Sequence, residues 1–290
     1  MFTTCRNVRP ALASIGLVTM LAAPVLAQSP AGSSAGTTTI SGGIDLTNQY
    51  MFRGIRQNSS GVVMWPSVDV GLVAYSGDSV LKRIAVNAGF WNSLHTGDTG
   101  SGGPRQKLWY ESDMYAGLGI GLSDSISLTT TYTAYTSPND MFDTVKEISL
   151  RLSFDDGTAF GKAAVRPYVL VAFELDTAIG TGQADGGLHA GRYLELGVRP
   201  AYSINRIRIA FPVKLGVSLT NYYELASEDN RFGFASAGGV VTVPLGQRGT
   251  LARWNVNGGV EFQALGETTK AFNNGERSRT LGSIGVGFSY

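Results

Sequence analysis

Cysteine and histidine are scarce in this chain. The one cysteine, Cys5, lies ahead of an N-terminal apolar run, so the rest of the chain has no disulfide and no thiol chemistry. The two histidines, His95 and His189, are not spaced with acidic residues as metal ligands are. We therefore expect no metal site, no bound cofactor and no cysteine-based catalysis.

Long apolar runs are missing after the N-terminus. Residues 11–26 form a nearly unbroken apolar run behind Arg6 and Arg9, and Ala27 ends a small-residue cleavage sequence. We predict that residues 1–27 are a cleaved signal peptide, with an N-terminal membrane anchor as the alternative. Residues 28–37, rich in Gly, Ser and Thr, are expected to form a flexible leader. No later stretch approaches the roughly 18 apolar residues of a spanning helix.

An excess of charge of one sign is also lacking. Without Arg6 and Arg9, 21 basic residues remain against 22 acidic ones. Nucleic-acid binding would need a concentrated basic face, and this balance gives no support to it.

What the chain has instead is a two-residue hydrophobic period that rarely stops. In residues 40–52, one face carries Ile40, Ile44 and Leu46 and ends in Tyr50 and Phe52, whereas the other face is mostly polar. Such alternation predicts strands, and these are longer than the roughly five or six residues of a typical soluble strand. Together with weaker segments at 64–75, 164–175, 192–202 and 231–243, we count twelve strands.

The connections between these strands alternate in length. Five short joins fall on one side (76–81, 123–124, 155–162, 203–205 and 244–251), whereas the loops at 93–106, 136–142, 177–191, 221–230 and 266–278 are longer on the whole and polar. This asymmetry is typical of a transmembrane, antiparallel, up-and-down β-barrel. A soluble β-sandwich is the alternative. We predict an outer-membrane barrel over residues 38–290.

Aromatic residues near strand ends favour the membrane. Amphipathic rings prefer the headgroup level, so we expect girdles at both interfaces, with Tyr50 and Phe52 facing lipid. The residues are Tyr50, Phe52, Tyr75, Phe90, Trp109, Tyr110, Tyr132, Phe154, Trp254, Phe288 and Tyr290.

The C-terminal strand ends in Phe288 and Tyr290. A terminal aromatic on an alternating strand is similar to the signal that outer-membrane barrels present to their assembly machinery. With the signal peptide, it predicts a place in the outer membrane of a Gram-negative envelope. The expected partners are membrane lipid, lipopolysaccharide, the assembly machinery and small solutes or ions.

The stretch LTNQYMFRGIRQ at 46–57 resembles the opening of the TorF family of outer-membrane porins. The matching residues are Tyr50, Phe52, Arg53, Gly54 and Gln57. The family often has serine where this chain has Arg56, which puts local ligand contacts in doubt. The resemblance covers about 30 residues and implies a porin without an established substrate, so no catalytic residue is carried over.

Charged residues on the inward strand faces are the candidate pore lining. They either line a permeation path that sets ion preference or pair across a narrow lumen and plug it. We expect Arg206 and Arg208 to lie near the periplasmic rim and to matter less. The candidates are Arg53, Asp69, Arg83, Glu111, Asp113, Glu147, Arg151, Arg166, Glu174, Glu195, Arg199, Lys214 and Glu261.

An enzymatic role is the least favoured of three functions. Some outer-membrane barrels modify lipids with a serine and a histidine. Here His95 and His189 are assigned to outer loops, Ser93 and His95 are expected to be poorly arranged on a strand, and no G-x-S-x-G elbow is present. We predict a porin for passive diffusion of small hydrophilic solutes or ions and no enzyme. The runner-up is a closed structural or surface-interaction barrel whose extracellular loops function.

Overall fold

The computed structural model describes residues 36–101, 108–175, 184–225, 228–245 and 252–290. The predicted signal peptide and nearly all of the leader lie outside the described residues. The described strands are β1 (Thr38–Thr47), β2 (Tyr50–Phe52), β3 (Ile55–Asn58), β4 (Val63–Ser76), β5 (Arg83–His95), β6 (Trp109–Gly121), β7 (Ile126–Thr136), β8 (Val145–Phe154), β9 (Tyr168–Glu174), β10 (Arg192–Val198), β11 (Ala201–Ile204), β12 (Ile207–Ala210), β13 (Val213–Thr220), β14 (Glu224–Leu225), β15 (Glu228–Asp229), β16 (Phe232–Pro244), β17 (Arg253–Leu265) and β18 (Ser278–Ser289).

One antiparallel sheet closes on itself. Each long strand pairs with the next along the chain, and β18 pairs with both β17 and β1, with Ile44 opposite Val286. Strands β10 and β11 form one crossing interrupted at Pro200, and β12 and β13 form another interrupted at Pro212. Proline has no N–H for a sheet ladder, which explains both interruptions. The predicted twelve-stranded, antiparallel, up-and-down barrel is therefore confirmed.

The two faces of the wall differ as a membrane-spanning barrel requires. On the outward face Ile44, Phe90 and Val260 are 49%, 51% and 56% exposed. On the inward face Asp69 and Glu147 are buried. Among the predicted girdle residues, those with large exposure are Tyr75, Phe90, Trp109, Tyr132, Phe154, Trp254 and Tyr290.

The first predicted strand is shorter than expected. Strand β1 ends at Thr47, and β2 and β3 form a separate two-stranded sheet. The prediction that Tyr50 and Phe52 face lipid is wrong, because their side chains are 0% and 6% exposed within the barrel. Tyr110 is also buried, since a register shift between Ser93 and Leu94 leaves it without a direct partner on β5. A local bulge of this kind inverts the facing expected from alternation.

The connections at the two barrel ends differ in content. The turn side is the end that holds the joins at 77–82, 122–125, 155–167, 205–206 and 245–252, and the loop side is the opposite end. The helix α1 (Gly157–Phe160) and a 3₁₀ turn (Gly161–Ala163) lie in the third of these joins, and the helix α2 (Glu267–Ala271) lies on the loop side. Among the described residues, no helix is long and apolar enough to cross a membrane.

Candidate functional site

A short hairpin built from β2 and β3 enters the barrel from the loop side. Phe52 pairs with Ile55, so only Arg53 and Gly54 form the turn. Their φ values are 49° and 82°, and two successive positive values characterise the type I′ turn that suits a two-residue hairpin. Glycine suits position 54, because an added Cβ would lie 3.1 Å from Thr269 Cγ2 and 3.2 Å from the Cβ of Phe234, both closer than ordinary contact. The turn thus places an arginine at the tip of the hairpin.

The Arg53 tip is anchored to the opposite wall by a bidentate ion pair. Its Nη1 and Nη2 donate to Glu147 Oε2 and Oε1 at 2.6 and 2.8 Å, and Nη1 also donates to the Tyr222 hydroxyl at 2.8 Å. The Tyr223 hydroxyl donates to the Arg53 carbonyl at 2.9 Å. Both charged side chains are buried, so this charge-assisted pair is shielded from solvent.

Aromatic rings surround the ion pair. The guanidinium carbon of Arg53 lies 4.2 Å from the centroid of Tyr193 and 4.9 Å from that of Phe52. Phe52 in turn contacts Tyr135 edge to face, with centroids 5.3 Å apart. Cation–π attraction is strongest where water is excluded, as it is here. The rings and the carboxylate together hold the tip in one place.

The flank of the hairpin packs against the other side of the barrel. The Tyr50 ring lies 5.4 Å from that of Trp65 on β4 and 5.5 Å from that of Trp91 on β5. Contacts therefore reach β4 and β5 on one side and, through Tyr193, β10 on the opposite side. The hairpin spans the lumen at the loop side.

The base of the hairpin is fixed by polar contacts with neighbouring loops. Arg56 Nη2 donates to the Ser101 carbonyl at 2.6 Å, Asn58 Nδ2 donates to the Asp98 carbonyl at 2.6 Å, and the Tyr110 hydroxyl donates to Gln57 Oε1. The motif residues that suggested the TorF resemblance therefore build this hairpin.

The predicted lumen residues occupy two burial classes. Half-buried are Arg83, Arg151, Arg166, Glu195 and Arg199. Buried are Arg53, Asp69, Glu111, Asp113, Glu147, Glu174, Lys214 and Glu261.

Several inward charges are partnered across or along the wall. Lys214 Nζ lies 3.2 Å from Glu261 Oε1, and Asn87 Nδ2 donates to Asp69 Oδ2 at 2.6 Å. The first contact links β13 to β17 across β16, and the second links the neighbouring strands β4 and β5. The role of the thirteen residues in permeation stays a prediction.

His95 differs from its predicted loop position. It is the last residue of β5 and is buried, with its Nε2 2.7 Å from the Ser93 hydroxyl oxygen. Residues two apart on a strand share a face, so the expectation that this pair is poorly arranged is wrong. Trp65 Nε1 donates to the same hydroxyl at 3.0 Å, and the Tyr50 ring lies 6.0 Å from the histidine ring. The pair is enclosed beneath the hairpin.

His189 and two carboxylates lie near a cleft at the loop side. The Nδ1 of His189 is 2.7 Å from Glu224 Oε1, and the Glu224 amide donates to Asp185 Oδ2 at 2.7 Å. Burial raises the pKa of Asp185 to about 6, although backbone N–H groups oppose the shift. Over the described ranges, no group of three or more His, Cys, Asp or Glu side chains is placed to hold a metal ion.

The chain matches no protein-family model and no curated protein sequence. An outer-membrane channel from Pseudomonas putida F1 is 13% identical with a TM-score of 0.48, over 89% of this chain and 97% of that one. The NanC porin is 12% identical with a TM-score of 0.39, over 88% and 99% of the two chains. The translocator domain of the autotransporter NalP from Neisseria meningitidis is 11% identical with a TM-score of 0.43, over 89% and 90%.

Sequence reasoning missed the partners of the hairpin. Tyr193, Tyr222 and Tyr223 were not among the candidates, because nothing in their local pattern links them to residue 53. One signal was present: an Arg-Gly pair flanked by alternating runs is compatible with a two-residue hairpin turn.

Proposed function

We propose that the chain is an outer-membrane channel of the porin type, held closed on its loop side by the β2–β3 hairpin. When the hairpin moves out of the lumen, small hydrophilic solutes or ions diffuse passively through the barrel. The proposal includes export by the signal peptide, contact with membrane lipid and lipopolysaccharide, and insertion through the aromatic C-terminal strand. Membership of the TorF family rests on the motif at residues 50–57.

One observation carries this proposal: the wall is complete without the hairpin. Thr47 pairs with Val63, so β1 and β4 meet directly, and residues 48–62 leave and rejoin the wall at one point. A segment that fills the lumen without contributing to the wall can be displaced while the barrel stays closed. An apolar exterior and a charged interior also support a hydrated path once the segment has moved.

A closed structural barrel is the second candidate. It is favoured by the burial of the Arg53–Glu147 pair, which makes the hairpin costly to remove. In that case the loops and not the lumen would function. We propose no enzymatic role, because the Ser93–His95 pair lies beneath the hairpin, away from lipid.

Replacing residues 48–62 with a two-residue Asn-Gly turn separates these candidates. The turn suits a tight antiparallel connection between Thr47 and Val63. Heat-modifiable gel migration establishes that the variant folds. In planar bilayers we expect brief, rare openings from the wild type and sustained steps from the variant. A folded variant without discrete steps would leave the structural barrel as the function.

A further inference from the structure

The turn side of the lumen carries a group of arginines at the end opposite the hairpin. Arg151, Arg199, Arg208 and Arg166, called here the arginine cluster, come from β8, the β10–β11 interruption, β12 and the approach to β9. The Arg199 amide donates to the Val165 carbonyl at 2.6 Å, which places Arg199 beside Arg166. Arg199 is also within electrostatic range of Arg151 and Arg208, and Arg208 is within range of Arg166. All four are half-buried, so water and small solutes reach them.

The wall fixes the orientation of Arg151. Its guanidinium carbon lies 3.7 Å from the centroid of the Tyr168 ring, and its Nε donates to the Ser153 hydroxyl at 3.3 Å. A guanidinium stacked on a ring keeps its remaining N–H donors in one plane, which suits a bidentate contact with an oxyanion. This arginine is preorganised for a ligand.

Nearby carboxylates do not saturate the cluster. Glu195 accepts from the Tyr168 and Tyr193 hydroxyls at 2.7 and 2.8 Å. Asp156 accepts from two backbone amides at the mouth, and Asp155 lies 3.5 Å from Arg166 with its side chain 63% exposed. Exposed pairs of this kind are weak because water screens them. The four guanidinium groups face these three carboxylates, so the cluster keeps an excess of positive charge.

Two buried donors in the cluster have no acceptor. Over the part of the chain that the structure describes, Arg208 Nε and Arg166 Nη1 are buried without a hydrogen-bond partner. Across the strands, Arg208 is paired with Thr242, whose hydroxyl also has no partner there. Buried polar groups are nearly always hydrogen-bonded, so these atoms point to a missing partner that accepts hydrogen bonds.

We propose that the arginine cluster binds a small oxyanion, a phosphate or a carboxylate, and makes the lumen selective for anionic solutes. The selectivity rests on the proposed channel function. The binding does not, because the cluster is reached from the turn side while the hairpin stays in place. Arg208, expected from sequence to matter little, is central to this site.

The test is protection of the arginines from phenylglyoxal in the folded, detergent-solubilised barrel. Site-resolved mass spectrometry follows Arg199, Arg208 and, as an internal control, the exposed Arg253 at the same barrel end. We expect inorganic phosphate to slow modification of the cluster and not of Arg253, at an ionic strength matched with chloride. An acetate arm distinguishes carboxylates from phosphates. If phenylglyoxal modifies the cluster at the same rate in phosphate, in acetate and in chloride, the proposed oxyanion site is refuted.

Substitutions at Arg208 measure how much this residue contributes to phosphate binding. Arg208→Gln should raise the phosphate concentration that half-protects Arg199 by about tenfold or more, because it removes one charge-assisted hydrogen bond to the anion. Arg253→Gln, the control, should leave this concentration unchanged. Arg208→Lys keeps the charge and is used if the glutamine variant folds poorly. An unchanged value in both Arg208 variants contradicts the proposal. If the hairpin-free variant shows discrete steps in bilayers but phosphate does not protect the arginines, the oxyanion site is refuted and the channel function still stands.

Discussion

Replacing Glu147 with glutamine removes the charge that holds the hairpin tip. The two oxygens of Glu147 accept from Arg53 at 2.6 and 2.8 Å, and both side chains are buried. Removing one partner of a buried ion pair costs about 3–5 kcal/mol, because the remaining charge is uncompensated. Glutamine keeps one acceptor, so we take the lower end. About 3 kcal/mol changes the closed-to-open ratio by roughly a hundredfold.

Single-channel recording measures this change directly. A hairpin closed about 99% of the time in the wild type would be closed about half of the time in Glu147→Gln. The matched control is Glu261→Gln, which breaks the wall pair with Lys214 at 3.2 Å and leaves the anchor of the hairpin tip intact. We expect the control to open as rarely as the wild type.

The double variant Arg53→Gln/Glu147→Gln refines the test. It buries no charge, so its closed state should recover part of the lost stability, and the double-mutant cycle then gives the coupling of the pair. If Glu147→Gln and Glu261→Gln have the same open probability as the wild type, the ion pair does not hold a gate and the reasoning fails.

Two further predictions concern the turn and the loop side. Gly54→Ala should lower the melting temperature and lengthen openings, since a Cβ would meet Phe234 at 3.2 Å, whereas Gly275→Ala has the same φ of 82° and open space. Equal melting temperatures of the two variants would exclude the steric explanation. Burial raises the pKa of Asp185 to about 6, so the folded state binds its proton more tightly than the unfolded state. As the pH rises from about 4 to about 6, the stability of the wild type should therefore fall more steeply than that of Asp185→Asn. Thermal melts measure this, and parallel pH profiles of the two proteins would contradict it.

The barrel could be predicted from sequence because its signal is local. Alternation along each strand and the length of each connection depend on neighbouring residues alone, and closure follows because unpaired edges are costly in lipid. The closed twelve-stranded sheet bears this out, from Ile44 opposite Val286 onward.

The hairpin could not be predicted in the same way because its partners are distant in sequence. Tyr50 and Phe52 alternate just as lipid-facing aromatics do, so the pattern gave the wrong side. Arg53 meets Glu147 94 residues away and Tyr222 169 residues away, contacts that no periodicity encodes. The buried position of Tyr110 depends on a bulge against β5, which is likewise invisible in the alternation.

The central claim is that the lumen opens only when the hairpin moves. A cysteine pair at Gly54 and Phe234, with Cys5→Ser, locks it, since the two Cβ positions lie 3.2 Å apart, close to the roughly 3.5–4.5 Å of a disulfide. A cysteine at a positive φ lowers the stability of the folded state by about 1–2 kcal/mol. The reduced form of the same protein carries the same cost and is therefore the control. In bilayers we predict no openings from the oxidised protein and discrete steps after reduction. Equal conductance in both forms would contradict the account.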